Sequence, residues 1–417
     1  MIKNTFRLLF LVLSPLVLGQ SSTGSPYSFG GLGEITFRGN QLNRAMGGLE
    51  IYNDSIHVNL NNPAGYGTLK LTNYALGINY KTSSLQSVTE KTTLATAGID
   101  YLAVNVPAGK FGFGFGLKPY SAIGYRLEAL DESGSVDRIN RFEGEGGLNQ
   151  AFLSVGFKLL KYFSVGFTVN YGFGNLTYRN SQRIENIQRA SYFDSNSSLS
   201  GLSTKFAANG AFPIKDLTLH TYFSFAPQAN ITSTNAQLFY TRSGNLNDIS
   251  DFQEIDLAAK GLEKTDLKLP KNVTFGIGVG KELKWFVGAQ YGNYYTSSFQ
   301  NEFIIIPNLT YADGNRMAVG GFYIPDYASL TNFFKKWVYR VGYRKEATGL
   351  RVGNQMVEES GISFGVGIPL QQFSNVNIGV ELGSRGKQNE IMIQENYWAL
   401  MVGFSLNDVW FIKRKYN

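Results

Sequence analysis

The chain has no cysteine and only two histidines in 417 residues. Without cysteine there can be no disulfide, no lipid-modified N-terminal cysteine, no thiol catalysis and no cysteine metal site. His57 and His220 are the whole imidazole supply. No acidic cluster is spaced for metal ligation beside either, so a zinc centre or a Ser-His-Asp triad has little to build from. Beyond the N-terminus no apolar run approaches the roughly 20 residues that a membrane-spanning helix needs. Charge is also sparse. The net +7 is not gathered into a stripe with interleaved aromatics, and Lys413-Arg414-Lys415 is the only tight basic cluster, so nucleic-acid binding has no footprint. No enzyme and no cofactor are expected.

What is present is aromatic and glycine-rich. Aromatic residues make up 14% of the chain and there are 47 glycines, yet the mean hydropathy is only −0.13. A transmembrane β-barrel reconciles these values, because every second residue of each strand faces a polar lumen and masks the lipid-facing ones. The strand period is explicit over 163–173. Phe163, Val165, Phe167, Val169, Tyr171 and Phe173 share one face, and Ser164, Gly166, Thr168, Asn170 and Gly172 the other. Trp398, Leu400, Val402, Phe404 and Leu406 repeat the pattern near the C-terminus.

Fourteen such stretches predict an all-β fold, a 14-stranded antiparallel transmembrane barrel with an N-terminal plug in its lumen. Four parts are expected: a signal peptide (1–19), a plug or hatch (20–70), the barrel (71–407) and a periplasmic C-terminal tail (408–417). The signal is read from Lys3 and Arg7, the apolar run from Leu8 to Leu18, and small residues before Gln20. Connections alternate short and long. Pro107-Ala108-Gly109-Lys110, Lys215-Asp216 and Glu282-Leu283 are short turns. The long, polar connections are predicted at 81–93, 121–147, 179–200, 229–271, 296–315, 346–360 and 384–396. Outer-membrane barrels keep short turns in the periplasm and long loops outside, which makes both termini periplasmic. One longer connection, 326–336, falls on the periplasmic side, where Leu330, Phe333 and Phe334 are expected to form an amphipathic helix at the membrane interface.

Rows of inward glycine, such as Gly112-Gly114-Gly116, Gly276-Gly278-Gly280 and Gly361-Gly365-Gly367, let another backbone approach the wall closely. The segment 20–70, rich in turn formers, is the expected filler.

Within it, Arg44-Ala45-Met46-Gly47-Gly48, then Asn53-Asp54-Ser55, then Asn62-Pro63-Ala64-Gly65 resemble the hatch of the FadL/TodX outer-membrane transport family. The C-terminal Gly403-Phe404-Ser405-Leu406-Asn407-Asp408 with Trp410-Phe411 resembles Bacteroidota members of it. Leu49, Glu50, Ile51 and Tyr52 depart from the family, which favours small residues there. The resemblance implies passive uptake of hydrophobic, fatty-acid-like molecules through a hatch-gated lumen, with release by hatch movement or through a gap in the wall. The alternative it leaves open is a non-transporting accessory subunit of a larger outer-membrane assembly, for secretion or barrel insertion. The partners expected are outer-membrane lipid, a hydrophobic small molecule or outer-membrane proteins.

Candidate residues follow. In the hatch they are Arg44, Gly47, Gly48, Asp54, Asn62, Pro63 and Ala64; the proline should end the plug and set the angle into the first strand. Phe303, Ile304, Ile305 and Ile306 form an apolar loop run that either lines an approach for an apolar ligand, binds a partner, or folds back on the barrel. Arg340 and Arg344 point inward with Glu381. Their expected role is an ion-pair network with Glu381 and the plug carboxylates Glu50 or Asp54, with capture of a ligand carboxylate as the alternative.

Overall fold

The computed structural model describes residues 23–132, 134, 136–243, 248–370 and 374–410. The expected signal peptide and most of the expected tail, including Phe411 and Lys413-Arg414-Lys415, lie outside them.

Fourteen strands form a closed antiparallel barrel: β1 (Thr72–Gln86), β2 (Lys91–Ala108), β3 (Phe111–Asp131), β4 (Arg138–Leu160), β5 (Phe163–Ile184), β6 (Ala190–Ile214), β7 (Leu217–Ala226), β8 (Asn272–Lys281), β9 (Trp285–Tyr294), β10 (Gly314–Tyr323), β11 (Val338–Val352), β12 (Gln355–Pro369), β13 (Asn375–Arg385) and β14 (Gln394–Asp408). The ring closes where β14 pairs with β1 along its whole length, from Gln394 beside Gln86 to Asp408 beside Thr72. Closure pairs the first and last strands, whose free edges lipid could not solvate. Alternation sorts the faces as expected. Phe111, Phe113, Phe115 and Leu117 point outward, while Gly112 and Gly114 between them are buried against the plug.

The strands outrun the membrane. A tilted strand crosses it in about 9–11 residues, but β4 has 23 and β6 has 25. Most of the connections expected to be long loops are therefore the upper halves of hairpins. β1 and β2 turn over only four residues, 87–90, and β11 and β12 over Gly353 and Asn354. Above the bilayer both faces meet water, so apolar alternation fades and cross-strand charge takes over, as in Arg141–Glu128 at 2.8 Å and Arg179–Asp194 at 2.7 Å. Of those expected long connections only 227–271 and 295–313 remain long, and they add a 14-residue strand at Ala229–Arg242 and short ones at Ile249–Glu254, Lys264–Leu269 and Leu309–Tyr311. The first of these extends the sheet from the upper half of β6.

Residues 23–71 fill the lumen as an irregular plug, with one α-helical turn at Gln41–Arg44 and 3-10 turns at Pro26–Phe29 and Pro63–Thr68. Its two sides bury separate cores. Met46, Leu49, Ile51 and Ala64 pack with Phe286, Ala318 and Phe322 of β9 and β10. Val58, Leu60, Tyr66 and Leu69 pack with Ala75, Tyr101, Ala103 and Phe152 of β1, β2 and β4. The residues 49–52 that depart from the family pattern supply the first of these cores, with Leu49 and Ile51 fully buried.

Candidate functional site

Wall glycines receive the plug. A Cβ on Gly276 would lie 2.5 Å from Ile51, and one on Gly156 2.5 Å from the Pro63 carbonyl oxygen. Gly112 and Gly114 seat Tyr66. The hatch glycines do the reciprocal work. Gly47 and Gly48 take positive φ, 71° and 80°, where a side chain is strained. That turn lets Arg316 of β10 donate to both of their carbonyls at 3.1 and 3.3 Å, and Ser363 of β12 accept from the Gly47 amide at 3.1 Å.

Asn62 caps the second 3-10 turn, which Pro63 and Ala64 open, and its side chain accepts from the Ala64 amide at 3.1 Å. Its Nδ2 donates to the Glu50 carbonyl at 3.0 Å, tying the plug's last turn to its middle.

An ion lattice fastens the other side. Glu359 of β12 is the hub. It takes both Nη atoms of plug Arg38 at 2.7 and 2.8 Å, Arg344 of β11 at 2.5 Å and Arg385 of β13 at 2.7 Å. Arg344 also reaches Glu381 at 2.6 Å. Plug Arg44 donates to Asp100 of β2 at 3.0 Å and lies 3.9 Å from Glu381. Plug Glu34 bridges Arg385 at 2.5 Å and Lys81 of β1 at 3.4 Å. Farther round, Glu50 accepts from Lys205 of β6 at 2.9 Å and Tyr222 of β7 at 2.6 Å. Burial alone would raise the Glu34 and Glu50 carboxyls. The cations beside them, with the Tyr222 hydroxyl at Glu50, hold both below the ordinary carboxylate range.

The expected arginine network is present at Arg344 and Glu381 but differs in its other members. Arg340 donates to Asn377 at 3.1 Å, and Asp54 is the carboxylate whose charge acts on it. Asp54 makes no ion pair within 4 Å of either arginine. It is satisfied locally, by the amides of Ile56 and His57 at 2.9 and 2.6 Å and by the His57 ring at 2.6 Å. Glu359, Arg385 and Glu395 were hidden in stretches that read as loops, although each continues the inward face of its strand.

Above the plug lies a cavity of about 290 Å³, with Glu34, Phe37, Arg38, Glu50 and Asn61 from the plug and Leu269, Phe299, Tyr311, Lys118 and Lys205 among its walls. A third apolar cluster, including Leu32, Ile123, Leu148, Ile231, Leu267 and Phe299, borders it. The apolar run of the 295–313 loop is divided between packing and solvent. Phe303 is buried and Ile304 packs on the cluster, which leaves Ile305 as the residue standing in solvent, 81% exposed.

The wall beside the cavity is split. β2 and β3 pair only from Ala108–Phe111 to Leu102–Leu117. Beyond that point β2 stays with β1 and β3 with β4. Register shifts at Asp100 in β2 and Tyr120 in β3, the latter after Pro119, bend the strands apart where they separate. The plug fills part of the gap as a two-residue strand, Glu34 beside Ala122 and Ile35 beside Ser121.

The model of the BamG family matches residues 1–417, the entire chain. The chain belongs to the BamG family. No curated protein sequence matches it. Solved structures similar to this BamG-family chain are channels of the FadL/TodX type. The Pseudomonas putida toluene transporter TodX is 14% identical with a TM-score of 0.59, covering 89% of this chain and 98% of that one. The Ralstonia pickettii toluene transporter TbuX is 12% identical with a TM-score of 0.59, covering 88% and 98%. The CymD monoaromatic hydrocarbon channel is 12% identical with a TM-score of 0.58, covering 90% and 98%. At this identity the likeness carries the fold alone: a closed, 14-stranded antiparallel barrel.

Proposed function

We propose that the protein is a stoppered barrel of the outer membrane that works as a non-transporting subunit of a larger outer-membrane protein assembly, its termini periplasmic and its tall hairpins extracellular. The observation that carries this reading is the fastening of the plug. Arg38, Arg44, Glu34 and Glu50 each pair with wall charges, and the plug's apolar faces are buried on two sides. Withdrawing it would strand several buried charges, and breaking even one such pair costs about 3–5 kcal/mol. A gate that must open repeatedly is poorly served by that arrangement. The C-terminal 403–411 sequence supports a Bacteroidota-like branch.

Uptake of a hydrophobic small molecule is the second reading, favoured by a different observation. The cavity lies beside the split between β2 and β3, so an apolar compound has a sideways route that leaves the plug in place. The channels and transporters of similar fold support this reading too.

Purification at native abundance from its own outer membrane, in mild detergent, separates the two. Mass spectrometry of both proteins and extractable lipids is expected to find stoichiometric protein partners and no apolar ligand. A lone barrel carrying a fatty-acid-like or aromatic compound would overturn the first reading and establish the second.

A further inference from the structure

The connection between β10 and β11 is unusual for its end of the barrel. Its neighbours there are short turns such as Gly109-Lys110 and Lys215-Asp216, whereas this one runs over 324–337. Its backbone is held in place. The Asp326 amide donates to the Lys335 carbonyl at 2.9 Å, and Asn332 Oδ1 accepts from the Phe334 amide at 3.0 Å, capping a 3-10 turn at Phe333–Lys336. The amphipathic helix expected from the sequence is thus a single turn, with Leu330 in the chain leading to it.

This fixed loop presents apolar groups outward. Leu330 is 94% exposed, Phe334 61% and Phe333 52%. Each unit of apolar area left in water costs about 25 cal/mol per Å², so a rigid display of three such side chains implies a cover. Continuity identifies it. Phe333 and Phe334 lie 5.9 and 4.9 Å from the Trp337 ring, and Trp337 lies 6.5 Å from Tyr339. Tyr339 begins the outward row Tyr339, Val341 and Tyr343, the lipid-facing side of β11. Its hydroxyl donates back to the Phe334 carbonyl at 3.2 Å. Aromatic rings at the border with an exposed lysine beside them suit the headgroup layer.

We infer that this loop is a lipid-docking wedge: Leu330, Phe333 and Phe334 insert into the interfacial layer of the adjacent leaflet, with Lys335 on headgroup phosphate. The inference is independent of whether the barrel transports.

The cysteine-free chain makes the test direct. Full-length Leu330→Cys, labelled with an environment-sensitive fluorophore, is reconstituted into phosphatidylcholine–phosphatidylglycerol vesicles, its folding checked by resistance to SDS. The expected emission is blue-shifted and largely lost to a spin-labelled lipid carrying its nitroxide near the headgroup, with little loss to iodide present on both sides. A label at Phe334→Cys is expected to behave alike. Emission that iodide quenches and the lipid label does not would overturn the wedge. So would shielding from both quenchers in native outer-membrane vesicles, because a protein would then cover the loop.

Discussion

A Cβ built on Gly379 of β13 would stand 3.8 Å from that of Ala45 in the plug, with the flexible Met401 methyl at 3.0 Å and the Phe364 carbonyl at 3.3 Å beside it. The first distance is the mean Cβ separation of a disulfide, and the chain has no other cysteine to compete. We predict that Ala45→Cys/Gly379→Cys forms an intramolecular bond on oxidation, seen as a mobility shift that reductant reverses. If the plug is a fixed stopper, cells carrying the locked protein grow and retain their outer-membrane composition as the wild type does. Loss of function on locking, restored by reductant, would show that the plug must move.

Glu359 accepts hydrogen bonds from three guanidinium groups contributed by the plug and by two strands. Glu359→Ala leaves Arg38, Arg344 and Arg385 with an unbalanced buried charge, a loss on the order of 3–5 kcal/mol. The barrel, held by its own ladder, is expected to fold. The plug is expected to become sensitive to protease, cleaved within residues 23–71 while the strands survive. A plug as resistant as the wild type would mean that the apolar cores alone retain it.

Much of this architecture was legible because membrane and lumen impose opposite demands on alternate residues. Phe113 beside Gly114, or Tyr343 beside Arg344, declares both faces of a strand at once. The wall glycines announced that something would lie against them. What stayed hidden lies where that contrast weakens. Above the bilayer, Arg126 and Glu143 pair on an outer face in water, so the tall hairpins read as loops and took Glu359, Arg385 and Glu395 with them. Asp54 and Glu50 were indistinguishable as partners for the lumen arginines. Which carboxylate reaches which cation depends on the path of a plug without regular period, and its turns place Glu50 toward Lys205 and Asp54 toward His57.

Acid should loosen the plug. Glu34 and Glu50 are held below the ordinary carboxylate range in the folded protein. A carboxyl depressed in this way contributes its full stability above the unfolded value of about 4.3 and loses it as pH falls through the folded one. Protease sensitivity of the plug is therefore expected to be flat from neutral pH down to about 5 and to climb at more acidic pH. Lys205→Met removes the cation beside Glu50, brings its folded value back toward the unfolded one, and should leave a plug that is looser at neutral pH but less responsive to acid. An acid response unchanged in that variant would remove Glu50 from the account.

Gly342 tests whether the wall was shaped around the plug. It sits on the inner face of β11, and a Cβ there would run into the plug backbone at Met46 and Gly47. Neither side can yield cheaply. The plug turn is fixed by the positive φ of Gly47, and the wall by pairing of Gly342 with Gly320 on one side and Ser363 on the other. Gly342→Val therefore leaves a foldable strand with no room for its occupant. The barrel is expected to remain SDS-resistant while the plug is displaced, cleaved readily by protease and leaving a lumen that conducts ions in planar bilayers. Gly172→Ala is the matched control. Its added carbon would lie nearest the flexible end of Leu148, at 3.3 Å, with the Gly201 carbonyl and Ile231 at an ordinary contact distance of 3.6 Å, so that variant should keep a protected plug and a closed lumen. If Gly342→Val stays as tight as Gly172→Ala, the plug has an alternative seat in the barrel, and its fastening cannot be the reason for a closed pore.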